Sequence, residues 1–163
     1  MRRPILFCCA LLVALCACGQ RVETKPKLSA AAENRIRGQV YLQENAQVAG
    51  IEVRPSGLQY RILRAGDGTI PTVDDRVRVH YRGMFIDRKE FETSRDRTPE
   101  PAEFPVRAVV RGWQEALTLM PVGSLWEVSI PSNLAYGLDN APANIGPNQT
   151  LIFEIELIGI VGK

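Results

Sequence analysis

The sequence predicts an α+β domain: an antiparallel, twisted β-sheet wrapped around one short α-helix, with a second helix ahead of it. Three observations carry this. Arg76-Val77-Arg78-Val79-His80-Tyr81, Trp126-Val128-Ile130 and Leu151-Phe153-Ile155-Leu157 keep their apolar residues at every second position, the period of a strand with one buried face. Around Arg111 to Met120, Trp113, Ala116, Leu117 and Met120 fall instead at i, i+3, i+4 and i+7. Ser29 to Gly50 holds good helix formers.

The N-terminus reads as an export signal. Arg2 and Arg3 form a basic start, Ile5 to Leu15 an apolar run, and Leu15-Cys16-Ala17-Cys18 a cleavage site. The run is shorter than the roughly 20 apolar residues of a membrane-spanning helix. The small Ala17 before Cys18 has the pattern of a bacterial lipobox, so residues 1–17 are expected to be removed and Cys18 to carry lipid. Leu15 makes Cys16 the poorer candidate. All four cysteines (Cys8, Cys9, Cys16, Cys18) lie in this segment, which leaves the fold no disulfide, thiol nucleophile or thiolate metal site.

Cleavage would remove two arginines and no acid, cancelling the formal charge of +2. A neutral chain lacks the concentrated positive charge of nucleic-acid binders and the polybasic signal that assists membrane binding. Anchoring would rest on the acyl chains of the lipoprotein.

Residues 18–28, polar and containing Pro26, read as a flexible tether from membrane to fold. The helix of 29–50 has Ser29 as N-cap and Gly50 as stop. Its apolar stripe (Ile36, Val40, Tyr41, Val48) is thin and Gly38 weakens it, so it is expected to pack lightly or against a partner. Residues 51–163 form the domain. Its first strand lies in 55–63, followed by the Gly66-Asp67-Gly68 turn and the 76–81 strand, with Val77, Val79 and Tyr81 inward. Arg76, Arg78, His80 and Arg82 face solvent, as in a sheet covered on one side only. Pro121 and Gly123 end the helix begun near Arg111.

His80 is the sole histidine, so neither a Ser/His/Asp triad nor a multi-histidine metal site fits within one chain. It sits on a polar strand face and reads as structural. Neither phosphate loop nor zinc spacing occurs, and no cofactor is expected.

Five segments remain to be explained: VRVHYRG (77–83), EFETS (90–94), VVRGWQEAL (109–117), AYG (135–137) and IGPNQTLIFEIEL (145–157). They are rich in aromatics and poor in reactive side chains, as suits a site that encloses an apolar group. In order and spacing they resemble the FKBP-type peptidyl-prolyl isomerases, in particular the macrophage infectivity potentiator branch, over about residues 55–158. The resemblance implies a proline-sized cup with Trp113 as floor, Tyr81, Phe91, Phe104 and Phe153 as walls, and Val109 and Val110 along one side. It makes the Val110 N–H and the Tyr136 hydroxyl hydrogen-bond donors to the bound chain, lets Glu92 accept from Tyr81, and has Ile145 close the cup from above. The N-terminal helical region of that branch is longer and dimerises, so the shorter one here implies a monomer or weak dimer.

The implied reaction is rotation about X–Pro bonds of unfolded or exported polypeptides, with macrolides as inhibitors. A non-catalytic holdase or envelope scaffold on the same fold is the alternative. The chain departs from the family pattern at Asp87-Arg88-Lys89, where most members have Asp-Gly, at Glu92 in place of Asp, and at Ala108, where some members have Glu. A different turn conformation and a changed carboxylate reach are therefore expected. Gly19 after the lipidated cysteine points to the outer membrane of a two-membrane cell, facing the periplasm.

Overall fold

The computed structural model describes residues 27–96 and 99–163. The expected signal peptide, Cys18 and the tether up to residue 26 lie outside these. Two helices, α1 (Ala30–Asn45) and α2 (Arg111–Leu117), accompany seven strands: β1 (Glu52–Val53), β2 (Gln59–Arg64), β3 (Arg76–Phe85), β4 (Glu90–Thr93), β5 (Ala102–Pro105), β6 (Leu125–Ile130) and β7 (Leu151–Ile160). They form one antiparallel sheet in the order β1-β2-β6-β7-β3-β4, with β5 pairing the other half of the β3 edge. The α+β class read from the sequence is the fold observed.

The two long central strands, β3 and β7, pair from Val77–Ile160 to Phe85–Leu151. Their alternation puts Val77, Val79, Ile155 and Leu157 fully out of solvent on the concave face. There α2 lays Trp113, Ala116 and Leu117 against the sheet, with Met120 just beyond the helix end. Gly112 permits this approach, since a Cβ at that position would lie 2.4 Å from Ile130 Cγ2. The helix is shorter than the stripe suggested: Thr118 leaves helical geometry (φ −78°, ψ 2°), and the next turn tightens with Leu119 N to Ala116 O at 2.9 Å.

Around α1, one expectation is corrected. The sheet is not covered on one side only: α1 lies across the far half of its outer face, where Gln59, Glu127, Ser129, Thr150, Ile152 and Met84 are all buried. The helix packs lightly, with Gly38 its one buried residue, and of its apolar stripe Tyr41 reaches the sheet. Ile36 and Val40 are 44% and 48% exposed. The docked face is Ala31, Asn34, Gly38, Tyr41 and Asn45, at helical spacing but polar or small. The Tyr41 hydroxyl pairs with Ser129 Oγ at 3.0 Å, Asn45 donates to Gln59 Oε1 at 2.8 Å, and Gln59 donates to Leu42 O at 2.8 Å. Gly38 is the point of closest approach, where a Cβ would stand 2.3 Å from Thr150 Oγ1. Ser29 caps the start, accepting from the Ala32 N–H at 3.3 Å. The α-helix ends at Asn45 rather than continuing to Gly50. The next bonds, Gln47 N to Glu44 O and Val48 N to Asn45 O, tighten to i→i−3, and Gly50 takes φ +83°.

Candidate functional site

A cavity of about 290 Å³ opens between α2 and the concave face, at the small end for ligand sites. Its lining is Tyr81, Glu92, Phe104, Ala108, Val109, Val110, Trp113, Tyr136 and Phe153. Trp113, at the start of α2, is the hub. Its ring meets Tyr81 (centroids 5.2 Å, 86°), Phe153 (5.4 Å, 85°) and Phe104 (6.1 Å, 82°) edge to face, a geometry that adds about 0.5–1.5 kcal/mol per pair to area burial. Trp113 is only 5% exposed, so the floor is rigid.

Phe91 stands behind this wall, packed edge to face on Phe153 (5.8 Å, 88°) and tilted on Phe85 (5.1 Å). Ile145 is buried in the main core at the end of the loop that follows Tyr136. Both therefore flank the cavity and support its lining. Ala108, singled out in the sequence only as a departure, lines the cavity at the end of the 3₁₀ turn Val106–Ala108.

Phe91 and Glu92 are neighbours in one strand, yet both reach the concave side. The register explains this: Gly83 pairs with Glu92 and Met84 with Glu90, so Phe91 is the extra residue of a β-bulge. Sequence alternation would have placed one of the two outside. The glycine opposite leaves room for the rings, since a Cβ at Gly83 would lie 2.7 Å from Phe91 Cζ and 2.9 Å from Phe153 Cε1.

The turn leading into β4, where a different conformation was expected for Asp87-Arg88-Lys89, keeps a backbone that glycine adopts readily. Arg88 adopts φ +68°, a left-handed conformation unfavourable for a side chain with a Cβ. Its guanidinium compensates by pairing with Glu127, a carboxylate only 6% exposed that also pairs with Arg61 at 3.2 Å.

Polar groups at the cavity are few. Tyr81 donates its hydroxyl to Glu92 Oε1 at 2.8 Å, so the longer carboxylate still reaches that partner. Among the described residues the Tyr136 hydroxyl has no protein partner. Burial, and secondarily the charge of Glu92, raises its pKa above the ordinary tyrosine value, keeping it a neutral donor. Val110, as N-cap of α2, donates its N–H to no protein group among the described residues. Two donors thus stand at the rim of an aromatic cup. His80 is elsewhere, 3.3 Å from Ser94 Oγ on the outer face. The larger hollow beside it, about 440 Å³, is lined largely by Arg82, Glu90, Arg95, Glu154 and Glu156, which pair with one another in solvent. No cluster of metal-ligating side chains occurs among the described residues.

The site is thus an aromatic cup between an antiparallel sheet and a short helix, with two hydrogen-bond donors at its rim. Comparison with known proteins gives the family. The model of the FKBP-type peptidyl-prolyl cis-trans isomerase matches residues 68–158, and that of the domain amino-terminal to it matches residues 12–62. The chain belongs to the FKBP-type peptidyl-prolyl cis-trans isomerases. It is 55% identical over 124 residues to the FKBP-type 22 kDa peptidyl-prolyl cis-trans isomerase of Escherichia coli, covering 76% of this chain and 60% of that one. It is 48% identical over 130 residues to the outer membrane protein MIP of Legionella longbeachae, covering 80% of this chain and 55% of that one. The chain thus spans little more than half the length of these relatives. The crystal structure of FkpA from Escherichia coli superposes with a TM-score of 0.75 at 38% identity, covering 80% of this chain and 60% of that one.

Proposed function

We propose that this chain is a peptidyl-prolyl cis/trans isomerase acting on X–Pro bonds of exported polypeptides in the cell envelope. The observation that carries this is the cup itself: Tyr81, Phe104 and Phe153 packed on Trp113 around about 290 Å³, with the Tyr136 hydroxyl and the Val110 N–H at the rim and without a partner among the described residues. X–Pro rotation has a barrier of roughly 20 kcal/mol, because the twisted amide loses its resonance. No covalent step is needed. The twisted carbonyl carries less charge on oxygen than the planar one, so leaving water for an aromatic cup costs it less. Binding is then stronger in the transition state than in either ground state, which is what accelerates a reaction. Lowering the barrier by about 5 kcal/mol would speed rotation by roughly 10³–10⁴.

Trp113, Tyr81, Phe104 and Phe153 serve as the cup, with Phe91 and Ile145 behind it and Val109 and Val110 at its side. Tyr136 and the Val110 N–H hold the flanking carbonyls, and Glu92 fixes the Tyr81 ring through its hydroxyl. Macrolides that present a prolyl-like ring would compete for the same space.

The envelope location is supported by the relative named outer membrane protein MIP and by the export pattern of residues 1–17. In this reading Cys18 is lipidated and the domain faces the periplasm from the outer membrane. No helix among the described residues is long and apolar enough to cross a membrane. Mass spectrometry of the membrane-fraction protein checks the anchor: a diacylglyceryl mass at Cys18 is expected, and an unmodified N-terminus would refute it.

The activity is tested by isomerisation of a short X–Pro peptide by the chain freed of residues 1–17, beside Trp113→Ala and a rapamycin-class macrolide. Acceleration that the macrolide blocks and the substitution reduces at least tenfold (~1.4 kcal/mol) is expected. No acceleration by folded protein would leave a holdase or scaffold, a reading that the family match does not favour.

A further inference from the structure

Tyr136 opens a loop that runs to Thr150 and carries Ile145 back into the core. The loop has little packing of its own. Leu138 is 56% exposed, residues 139, 140 and 142–144 are exposed, and only Ile145 and Thr150 are buried before the strand begins at Leu151. Its base is closed by one backbone bond, Asn148 N to Gly137 O at 2.8 Å. That bond requires Asn148 at φ +55°, a left-handed conformation that asparagine tolerates better than most residues.

The outside of this base is clasped by the first turns of α1. Asn34 donates its side-chain amide to Pro147 O at 2.9 Å, and Asn148 donates its own to Ala31 O at 3.3 Å. Both bonds span more than a hundred residues of sequence and both are partly buried, so an unpaired carbonyl left there would be costly. The helix is in turn pinned further along by Tyr41 to Ser129 and Asn45 to Gln59. A sixteen-residue helix is marginal alone. Docked this way it is a strut between the outer face of the sheet and the root of the pocket loop.

We propose that Asn34 and Asn148 are positioning residues, joining α1 to the Gly137–Asn148 loop so that Tyr136 and Ile145 keep the geometry the X–Pro site needs. This rests on the isomerase reading and assigns part of the site's order to the helix that precedes the domain. Asn34→Ala removes one donor while improving helix propensity, so unwinding of α1 would not account for a loss. Asn148→Gly removes the other donor and keeps the left-handed backbone accessible. Arg35→Ala, exposed on the same helical turn, is the control.

The test uses full-length protein, with amide hydrogen exchange over residues 137–148 and kcat/KM on a short X–Pro peptide. Both asparagine variants should exchange faster in this loop, and their kcat/KM should fall roughly threefold to tenfold, with the control unchanged. The double variant should be little worse than the more severe single one, because the two bonds form one latch. Exchange that stays at the wild-type rate would overturn the proposal, and so would faster exchange with unchanged kcat/KM, which would mean a purely structural contact. An inactive wild type would be a different failure, of the isomerase reading itself, and would remove this role with it.

Discussion

Adding one carbon at Gly83 probes the least visible dimension of the cup. The glycine lies on β3 opposite Phe153 of β7 and Glu92 of β4. Its backbone is not in the left-handed region, so alanine meets no conformational strain there, and the effect is purely one of space. The new Cβ would sit 2.7 Å from Phe91 Cζ and 2.9 Å from Phe153 Cε1. Ordinary carbon contacts are about 3.5–4.0 Å, leaving a deficit of about 1 Å. Phe153 is 4% exposed and braced by Trp113, whereas Phe91 is only partly buried. Phe91 must therefore yield most, and Phe153 is pressed toward the cavity. Overpacking of this kind costs about 1–3 kcal/mol, offset by about 0.4–1 kcal/mol because alanine restricts the unfolded chain. The net is about 1–2 kcal/mol, or a Tm lower by roughly 3–8 °C at this size. Thermal unfolding of Gly83→Ala beside its X–Pro kcat/KM reads both consequences, with activity expected to fall roughly threefold to tenfold. A Tm within about 1 °C of wild type together with unchanged activity would refute the claim that the β3 glycine is the seat of the aromatic wall.

Three further outcomes follow from particular contacts. Tyr136→Phe removes a hydroxyl with no protein partner among the described residues, so stability should change by less than about 0.5 kcal/mol while KM for an X–Pro peptide rises roughly twofold to tenfold. Arg88→Ala breaks the pair with buried Glu127 but keeps a Cβ at φ +68°, whereas Arg88→Gly breaks the same pair and relieves that conformation. Urea unfolding should place the glycine variant about 1 kcal/mol above the alanine variant, and the reverse order would deny the left-handed turn. Asp75 has its pKa lowered from 3.8 to about 2, first by its bond with Lys163 and then by Thr72. Its folded value lies below the unfolded one, so its contribution is present above pH 3.8 and lost as the pH falls through about 2. Lys163→Ala should accordingly be less stable than wild type near pH ~5 and indistinguishable from it once the carboxyl is protonated.

What could be read in the chain without coordinates was whatever depends on near neighbours in sequence. Period-two burial along β3 and β7 is local, because successive side chains of a strand face opposite ways, and so the α+β class and the inward set Val77, Val79 and Tyr81 followed from the sequence alone. The stripe of α2 is local in the same sense, and with it Trp113 on the concave face. The residue types of the cup were legible too, since a site for an apolar ring calls for aromatics with few donors. Tertiary structure decided everything that depends on which group stands opposite. The bulge at Phe91, which turns two consecutive residues toward the site, exists only through the pairing of β4 with β3. Glu127, charged and in an alternating strand, reads as a solvent-facing residue until Arg61 and Arg88 converge on it from distant segments. Hydrophobic periodicity in α1 pointed to Ile36 and Val40, yet the helix docks through Asn34, Gly38, Tyr41 and Asn45. A hydrogen bond or a glycine contact takes its energy from a partner far away in sequence, whereas the apolar transfer energy that periodicity reports belongs to each residue by itself.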